Sequence, residues 1–163
     1  MQRLVLAAVA ISLITSHALA QSPRRSVQGV WRVEEAMITG ASARTISFAD
    51  RPNLTIITDK YYSRVEVQAD GPRPALANPA TATADQLRAV WGPFVGEAGT
   101  YEVTSGGALT MRPIASKNPA VMGSGVFIVY LYKLEGDKLL LTQQRNQNGP
   151  FPNPFTLRLV RVE

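Results

Sequence analysis

Six polar side chains stand among aliphatic residues at alternating positions of the predicted β-strands, and these six could carry chemistry. They are Glu35, Ser63, Tyr101, Tyr130, Gln143 and Arg145. A carboxylate desolvated beside tyrosines has a raised pKa and can serve as a general acid or base. A few polar groups in a mostly apolar pocket can also orient a small ligand. The pattern therefore indicates a ligand-binding site, with Glu35 as the candidate catalytic residue.

Three more residues on the same predicted inward face extend this candidate site: Met37, Met111 and Tyr132. Methionine suits an adaptable apolar pocket and equally fills gaps in a core. We expect Glu35 to pair with Arg145, because a buried carboxylate is costly unless it is paired. Two interpretations stay open. Glu35 is either part of an internal ion pair or rim charge, or it is a polar anchor inside a pocket.

The composition excludes most metal and nucleophile chemistry. The chain has no cysteine, and its one histidine is His17. His17 falls in a predicted signal peptide, so we expect the mature chain to have neither residue. Zinc sites built on histidine or cysteine are then excluded, as are Ser-His-Asp and Cys-His catalysis. We expect no metal and no cofactor.

Residues 1–20 form the predicted signal peptide. Arg3 is followed by an apolar run, 4–14, and Ala18-Leu19-Ala20 matches a cleavage site. The run is too short to span a bilayer comfortably. We therefore expect an exported protein, periplasmic or secreted, without a membrane span, and a retained anchor is the competing interpretation. Residues 21–163 are long enough for one domain with its own core.

The charge balance is mildly basic. The chain carries 17 lysines and arginines against 12 aspartates and glutamates, for a formal net charge of +5. The arginines are scattered, and no basic run is interleaved with aromatic residues as in nucleic-acid-binding domains. We therefore expect a solvated basic surface and no nucleic-acid partner.

Short alternating segments separated by turn residues predict an all-β domain. The predicted strands are 28–38, 54–58, 61–68, 100–104, 108–114, 126–135, 138–145 and 155–161. In the hairpin 54–68, we expect the more apolar face to point inward. That face holds Leu54, Ile56, Tyr61, Ser63, Val65 and Val67, while Tyr62, Arg64 and Glu66 are expected outside.

Turn lengths set the register of each predicted hairpin. The expected opposed pairs are Ile56 with Ser63, Leu54 with Val65, Val103 with Leu109, Tyr101 with Met111, Leu134 with Leu139, Tyr132 with Leu141, Tyr130 with Gln143 and Ile128 with Arg145. Most of these pairs place apolar residues opposite each other, which supports the chosen registers.

A short amphipathic helix is predicted near 83–92. Thr83 and Gln86 have the spacing of a capping box, and Leu87, Val90 and Trp91 begin one apolar stripe. The Gly-Pro pair that follows ends the regular helix. The helix is interpreted either as a plug at one end of a barrel or as a lid over a cavity.

The first and last strands are expected to pair antiparallel, which puts Trp31 beside Arg161. A guanidinium stacks well on an indole face. A sheet whose end strands pair has no free edge. We therefore predict a single antiparallel up-and-down β-barrel of about eight strands.

Four segments in this order resemble the lipocalin-like domain family of bacteria and fungi. They are Gly29-Val-Trp31 and the segments 58–63, 98–103 and 136–142. The resemblance covers 29–162 and implies a calycin-type barrel, with a tryptophan near its base and an arginine from the chain end over it. Trp31 fits the first position, and Arg161 fits the second with Arg158 as its competitor. The family is associated with small apolar ligands, and some relatives of the barrel are cyclases or isomerases.

We expect the chain to bind a small apolar or amphipathic molecule inside the barrel. Two other function classes stay open. A cofactor-free isomerase, cyclase or hydrolase would use Glu35 with a barrel tyrosine. A protein-binding or inhibitor barrel of the cell envelope would use the loops 117–119 and 146–154 as its contact surface.

Overall fold

Ten β-strands and one α-helix form most of the regular structure of residues 27–163, the part of the chain that the computed structural model describes. The strands are β1 (Gly29–Ile38), β2 (Arg44–Ser47), β3 (Asn53–Ile57), β4 (Tyr61–Val67), β5 (Phe94–Val103), β6 (Ala108–Ser116), β7 (Ile128–Glu135), β8 (Lys138–Asn146), β9 (Gly149–Pro150) and β10 (Phe155–Arg161). The helix is α1 (Ala84–Trp91), and short 3₁₀ turns cover Gly40–Ser42, Pro79–Thr81 and Pro119–Val121. The predicted signal peptide, residues 1–20, lies outside the described residues. Within those residues, no helix is both long and apolar enough to cross a membrane.

Eight of the strands close into an antiparallel barrel. Hydrogen-bonded neighbours follow the order β1, β3, β4, β5, β6, β7, β8 and β10, and β10 pairs again with β1. β2 adds to β1, and the two-residue β9 adds to β8. The prediction of an all-β, antiparallel, eight-stranded barrel is confirmed.

Trp31 and Arg161 lock the two ends of the barrel sheet together at its base. They lie opposite each other in the β1–β10 ladder, and the guanidinium carbon is 4.1 Å from the centroid of the indole. Arg161 Nη1 also donates to the Gln28 carbonyl at 2.7 Å, and the indole Nε1 donates to the Val27 carbonyl at 3.0 Å. The arginine over Trp31 is thus Arg161 and not Arg158.

A bulge in β1 reverses the face of its second half. The register with β10 shifts between Val33 and Glu35, so that Val33 is buried and Ala36 is the next residue turned into the core. Glu35 stands on the outer face, with Oε2 3.2 Å from Nη2 of Arg158 opposite. Met37 follows on the same outer face. The prediction that Glu35 and Met37 point inward is wrong, because strict alternation does not survive an extra residue.

In the hairpin of β3 and β4 the residues pair as predicted, but the face that points into the barrel is the one predicted to point outward. Pairs such as Ile56 with Ser63 are confirmed. However, β1 pairs Trp31 with Thr55, and directly opposed residues point to the same side of a sheet. The inner face therefore carries Thr55, Ile57, Tyr62, Arg64 and Glu66, and the outer face carries Leu54, Ile56, Tyr61, Ser63 and Val65. The prediction that the more apolar face lies inside is wrong for this hairpin.

The other two hairpins follow the predicted registers except at one end. The confirmed pairs are Val103 with Leu109, Tyr101 with Met111, Leu134 with Leu139, Tyr132 with Leu141 and Tyr130 with Gln143. Beyond the last of these, the β7–β8 register shifts between Val129 and Tyr130. Arg145 therefore lies opposite Val129, and the predicted pairing of Arg145 with Ile128 is wrong.

Asn53 bridges an interruption in the barrel wall. β3 pairs with the base half of β1 and β2 with the other half, and the chain leaves the sheet between them at 48–52. In that interval Asn53 Oδ1 accepts from the Val33 amide at 2.6 Å, and Nδ2 donates to the Val33 carbonyl at 3.1 Å. Nδ2 also donates to the Arg51 carbonyl at 2.9 Å. The sequence pattern predicts no strand at β2, because four residues are too few to show an alternation of their own.

Helix α1 begins as predicted but packs less deeply than a plug would. Thr83 accepts from the Gln86 amide, and the Gln86 side chain accepts from the Thr83 amide, so the capping box is confirmed. None of its residues is buried. At its C-terminal end, Lys117 Nζ donates to the carbonyls of Trp91 and Gly92. The helix is therefore held at one end and leaves the barrel core to other residues.

Replacement of Arg161 tests the lock at the base. Arg161→Met is expected to lower the free energy of unfolding by about 2 to 4 kcal/mol, because it removes a part-buried cation–π contact with the buried Trp31 and a charged hydrogen bond. Equilibrium unfolding in urea measures the loss. Arg158→Met is the matched control, since Arg158 forms partly exposed ion pairs with Glu34 and Glu35. Such pairs contribute at most about 1 kcal/mol, and equal losses for both variants would contradict the role of Arg161.

Replacement of Asn53 tests the bridge in the wall. Asn53→Ala leaves the amide and carbonyl of the buried Val33 without their partners, so we expect a loss of about 2 to 4 kcal/mol in the free energy of unfolding. Thermal unfolding by calorimetry measures it. Asn148→Ala removes the same group from an exposed loop residue and serves as the control. If Asn53→Ala were no more harmful than the control, the side chain would not be bridging the ladder.

Candidate ligand-binding site

The inner face of β4 carries a row of polar side chains into the barrel. Tyr62, Arg64 and Glu66 stand two residues apart and alternate with the exposed Ser63 and Val65. Polar residues of β5, β7 and β8 face this row. We call the whole set the interior polar cluster: Tyr62, Arg64, Glu66, Glu97, Tyr130 and Gln143. Four of its members are at most 8% exposed: Tyr62, Glu66, Tyr130 and Gln143.

Glu97 is the point at which the contacts of the cluster meet. The Tyr62 hydroxyl donates to Glu97 Oε1 at 2.7 Å. Arg64 lies directly opposite Glu97 in the β4–β5 ladder, with 3.9 Å between Arg64 Nε and Glu97 Oε1. That distance allows an ion pair but is too long for a hydrogen bond. Among the described residues, the buried Nε of Arg64 has no hydrogen-bond partner.

The surroundings keep Arg64 charged and the two tyrosines protonated. Burial lowers the pKa of Arg64, but Tyr130, Glu97 and Glu66 outweigh burial and raise that pKa above its ordinary value. Burial raises the pKa of Tyr62, and the charge of Glu97 together with the hydrogen bond to it raises that pKa further. Burial also raises the pKa of Tyr130, although Arg64 opposes the change. At neutral pH both tyrosines therefore keep their hydroxyl protons.

A groove opens in the barrel wall between β2 and the chain that follows β4. β2 pairs with β1 alone among the described strands, so its other edge faces the segment 67–74 without a ladder between them. The groove has a volume of about 1420 Å³. We call it the side groove; it is lined by β2, 50–52, 67–74, Val90, Trp91 and Phe94. Small-molecule pockets usually occupy about 300 to 1,000 Å³, so the side groove is large enough for such a ligand.

The side groove and the interior polar cluster meet at Glu66. Gln68 lines the groove, and its Nε2 donates to Glu66 Oε1 at 2.8 Å. A smaller cavity of about 620 Å³ shares Arg51, Arg73 and Phe94 with the groove, and Glu66 lines it as well. Glu66 is thus the member of the polar row of β4 that the two cavities reach, and Arg64 lines neither of them.

Aromatic side chains and an arginine form the wall of the side groove next to helix α1. The guanidinium of Arg73 lies 5.2 Å from the ring centroid of Phe94, and its Nη1 donates to the Val90 carbonyl at 3.2 Å. Trp91 meets Phe94 edge to face, with 6.1 Å between ring centroids. Trp91 is nevertheless 51% exposed. It is therefore positioned to cover an apolar molecule in the groove.

The site residues predicted from the sequence fall on both sides of the wall. Those inside are Tyr101, Met111, Tyr130 and Gln143, which are buried, and Tyr132, which is half-buried. Those outside are Glu35, Met37 and Ser63, and Arg145 is exposed. Tyr101 lies at the base, where its hydroxyl donates to the Thr58 carbonyl at 2.7 Å. Arg145 lies 5.1 Å from the ring centroid of Phe127. The predicted Glu35–Arg145 pair is wrong.

Four members of the interior polar cluster are not among the site residues predicted from the sequence: Tyr62, Arg64, Glu66 and Glu97. The first three did leave a signal, because Tyr-x-Arg-x-Glu-x-Gln over 62–68 is a polar face with a period of two residues. The assignment of that face to the outside followed the default that charged side chains are exposed. Glu97 left no local signal, since it precedes the strand predicted to begin at residue 100.

The raised pKa values of Tyr62 and Tyr130 predict alkaline unfolding. In the unfolded chain these tyrosines ionise near their ordinary pKa of 10.0, below their pKa in the folded barrel. Their contribution to stability is therefore fully present below pH 10 and is lost as the pH rises further. Tyr62→Phe should make the decline of the unfolding free energy above pH 10 less steep, as measured by urea unfolding at several pH values. Tyr61→Phe, on the exposed outer face, is the control, and equal declines for both variants would contradict the prediction.

No protein-family model matches this chain, and a search of curated proteins finds no match. The assignment of the fold therefore rests on strand order and register. These describe a closed antiparallel eight-stranded barrel, which is consistent with the calycin-like architecture that the sequence resemblance implies.

Proposed function

We propose that this protein binds a small, mostly apolar molecule that carries one polar group. The apolar body would lie in the side groove, and the polar group would face the interior polar cluster. The observation that carries the proposal is the side groove, which has a volume of about 1420 Å³ and is lined by apolar side chains together with Gln68. Gln68 connects the groove to the interior polar cluster, because its Nε2 donates to Glu66 Oε1 at 2.8 Å.

The lining of the side groove supports an apolar ligand body. Ile46, Val67, Trp91 and Phe94 contribute apolar surface to it. Sites for small molecules combine such surface with a few polar groups that fix orientation. The groove and the cluster together have both parts.

An exported location forms part of the proposal. The signal peptide predicted from residues 1–20 and the resemblance to the lipocalin-like domain family both support a periplasmic or secreted binding protein. Outside the cytoplasm, such a barrel would hold a poorly soluble compound away from water.

The acid–base alternative loses the residue on which it depended. Glu35 lies on the outer face in an ion pair with Arg158. The interior tyrosines Tyr62 and Tyr130 stay protonated at neutral pH, because burial raises the pKa of each, and a protonated hydroxyl does not act as a general base. Binding is therefore better supported than catalysis.

Trp91 offers a direct test of binding. The chain has two tryptophans, of which Trp91 lines the side groove and Trp31 is buried at the base. The native protein is mixed with a panel of lipophilic compounds, including decanol, decanamide, a monoterpene alcohol and a sterol. A bound compound should shift the emission of Trp91 to shorter wavelength, because it excludes water from the indole. It should also stabilise the fold by about 2.7 kcal/mol at a ligand concentration of about 100 times Kd.

Two variants separate the groove from the rest of the surface. Trp91→Phe should abolish the emission change and keep most of the stabilisation. Leu131→Ala, at an exposed position on a distant strand, should affect neither. A panel that produces no stabilisation and no change at Trp91 would refute binding in the side groove.

A further inference from the structure

We infer that the polar group of the ligand is an acylated amino-acid unit, and that the free edge of β2 binds this unit through main-chain hydrogen bonds. The chemical class is an N-acylated amino acid, in which an apolar acyl chain is joined through an amide to a residue with its own N–H and C=O. This inference rests on the proposed binding function and names the class of its ligand. It follows from the direction of the backbone groups of β2.

The ladder between β1 and β2 leaves two residues of β2 pointing away from β1. The Phe48 amide donates to the Glu34 carbonyl at 2.7 Å, which extends the register of the two strands by one pair. In an antiparallel ladder, residues that exchange hydrogen bonds with the partner strand alternate with residues that do not. Ile46 therefore faces β1, as Phe48 does. The N–H and C=O groups of Thr45 and Ser47 point to the opposite edge.

The free edge of β2 is accessible from the side groove. All four residues of β2 line the groove, and Thr45 and Ser47 are exposed. Among the described strands, β2 pairs only with β1. An open strand edge of this kind binds an extended chain by adding it as a further strand. The groove thus offers a ligand one main-chain donor and one main-chain acceptor at each of two residues.

The geometry of a strand edge decides which polar group fits. The N–H and C=O of one edge residue point in the same direction, and they are both satisfied by one residue whose own N–H and C=O point back at them. An alcohol has no such pair of groups. A single trans amide has its N–H and C=O on opposite sides, so it forms one of the two hydrogen bonds. An amino-acid residue with an amide on each side forms both.

The other walls of the side groove suit the rest of such a ligand. Trp91 and Phe94 offer apolar surface to an acyl chain. The free edge of β2 faces the segment 67–74, which contains Gln68, and Gln68 Nε2 donates to Glu66 Oε1 at 2.8 Å. An amino-acid unit on β2 therefore faces the side of the groove from which the interior polar cluster is reached.

The charged side chains of the side groove are the other place where a polar group could bind. They are Arg44, Asp50, Arg51, Asp70 and Arg73. Arg51 forms an ion pair with Asp70, and Arg73 donates to a carbonyl of α1. Arg44 and Asp50 are exposed and have opposite charges. A neutral amino-acid unit needs none of these charges, so a carboxylate of similar chain length distinguishes recognition by arginine from recognition by the edge of β2.

Four decyl compounds test the inference on the native protein. They are N-decanoylglycine methylamide, the matched ester in which oxygen replaces the glycine N–H, decanol and decanoate, each titrated at neutral pH by calorimetry. The glycine compound should bind at least about fivefold more tightly than the ester, because the ester lacks one hydrogen-bond donor. Equal affinities for this pair would overturn the inference. Decanoate that binds more tightly than the glycine compound would assign recognition to the arginines and would also overturn it. If none of the four compounds binds, the proposed function itself fails.

Two proline variants locate the interaction on β2. Thr45→Pro and Ser47→Pro each remove an N–H that points away from β1, and proline is tolerated at such positions of an edge strand. At least one variant should bind the glycine compound about fivefold more weakly and bind decanol as the native protein does. Thermal unfolding shows that each variant is folded. Two folded variants with native affinity for the glycine compound would overturn the assignment to β2.

Thr45→Val distinguishes the main chain from the side chain at the same position. This substitution removes the hydroxyl of Thr45 and keeps its main-chain N–H. A loss of affinity for the glycine compound in Thr45→Val as large as that in Thr45→Pro would assign recognition to the hydroxyl and overturn the inference. A loss confined to Thr45→Pro supports a main-chain hydrogen bond.

Discussion

The pairing of the first barrel strand with the last, fastened by Arg161 on Trp31, is the constraint on which the rest of the structure depends. It places Trp31 on the inner face of β1. Thr55 of β3 lies opposite Trp31 and therefore also faces inward. Arg64 of β4 lies opposite Thr55 and faces inward for the same reason. Because side chains alternate with a period of two, these registers fix which face of β3 and of β4 lies inside, whatever the polarity of the residues on that face. Gly29 is part of the same lock: it has φ +139°, and a Cβ there would collide with the Arg161 guanidinium.

Irregularities in the wall create the opening of the candidate site. The chain leaves the sheet between β2 and β3, and the side chain of Asn53 replaces the backbone partners that Val33 would otherwise lack. Among the described strands, β2 pairs only with β1, and a groove separates β2 from the chain that follows β4. A perfectly regular barrel of the same strands would present no such opening.

The β3–β4 hairpin turns charged side chains into the barrel and leaves apolar side chains exposed on its outer face. Its inner face holds Arg64 and Glu66, while Ile56, Tyr61 and Val65 on its outer face are 40% to 56% exposed. Buried charges contribute little to stability, and an apolar replacement is often at least as stable. The proposed role in binding would give a physical reason for an interior that stability alone would not select.

The amino-acid sequence by itself determined the all-β class, the hairpin registers set by short turns, the capping box at Thr83 and the meeting of Trp31 with Arg161, because each of these depends on neighbours in sequence or on the two chain ends. Only the tertiary structure decided the inner face of β3, of β4 and of the second half of β1, whereas the alternation of β5 to β8 predicted theirs correctly. The bulge at Glu35, the β1–β3 register and the approach of Glu97 to Arg64 all depend on contacts between distant segments, and the interior polar cluster exists only where those contacts are made.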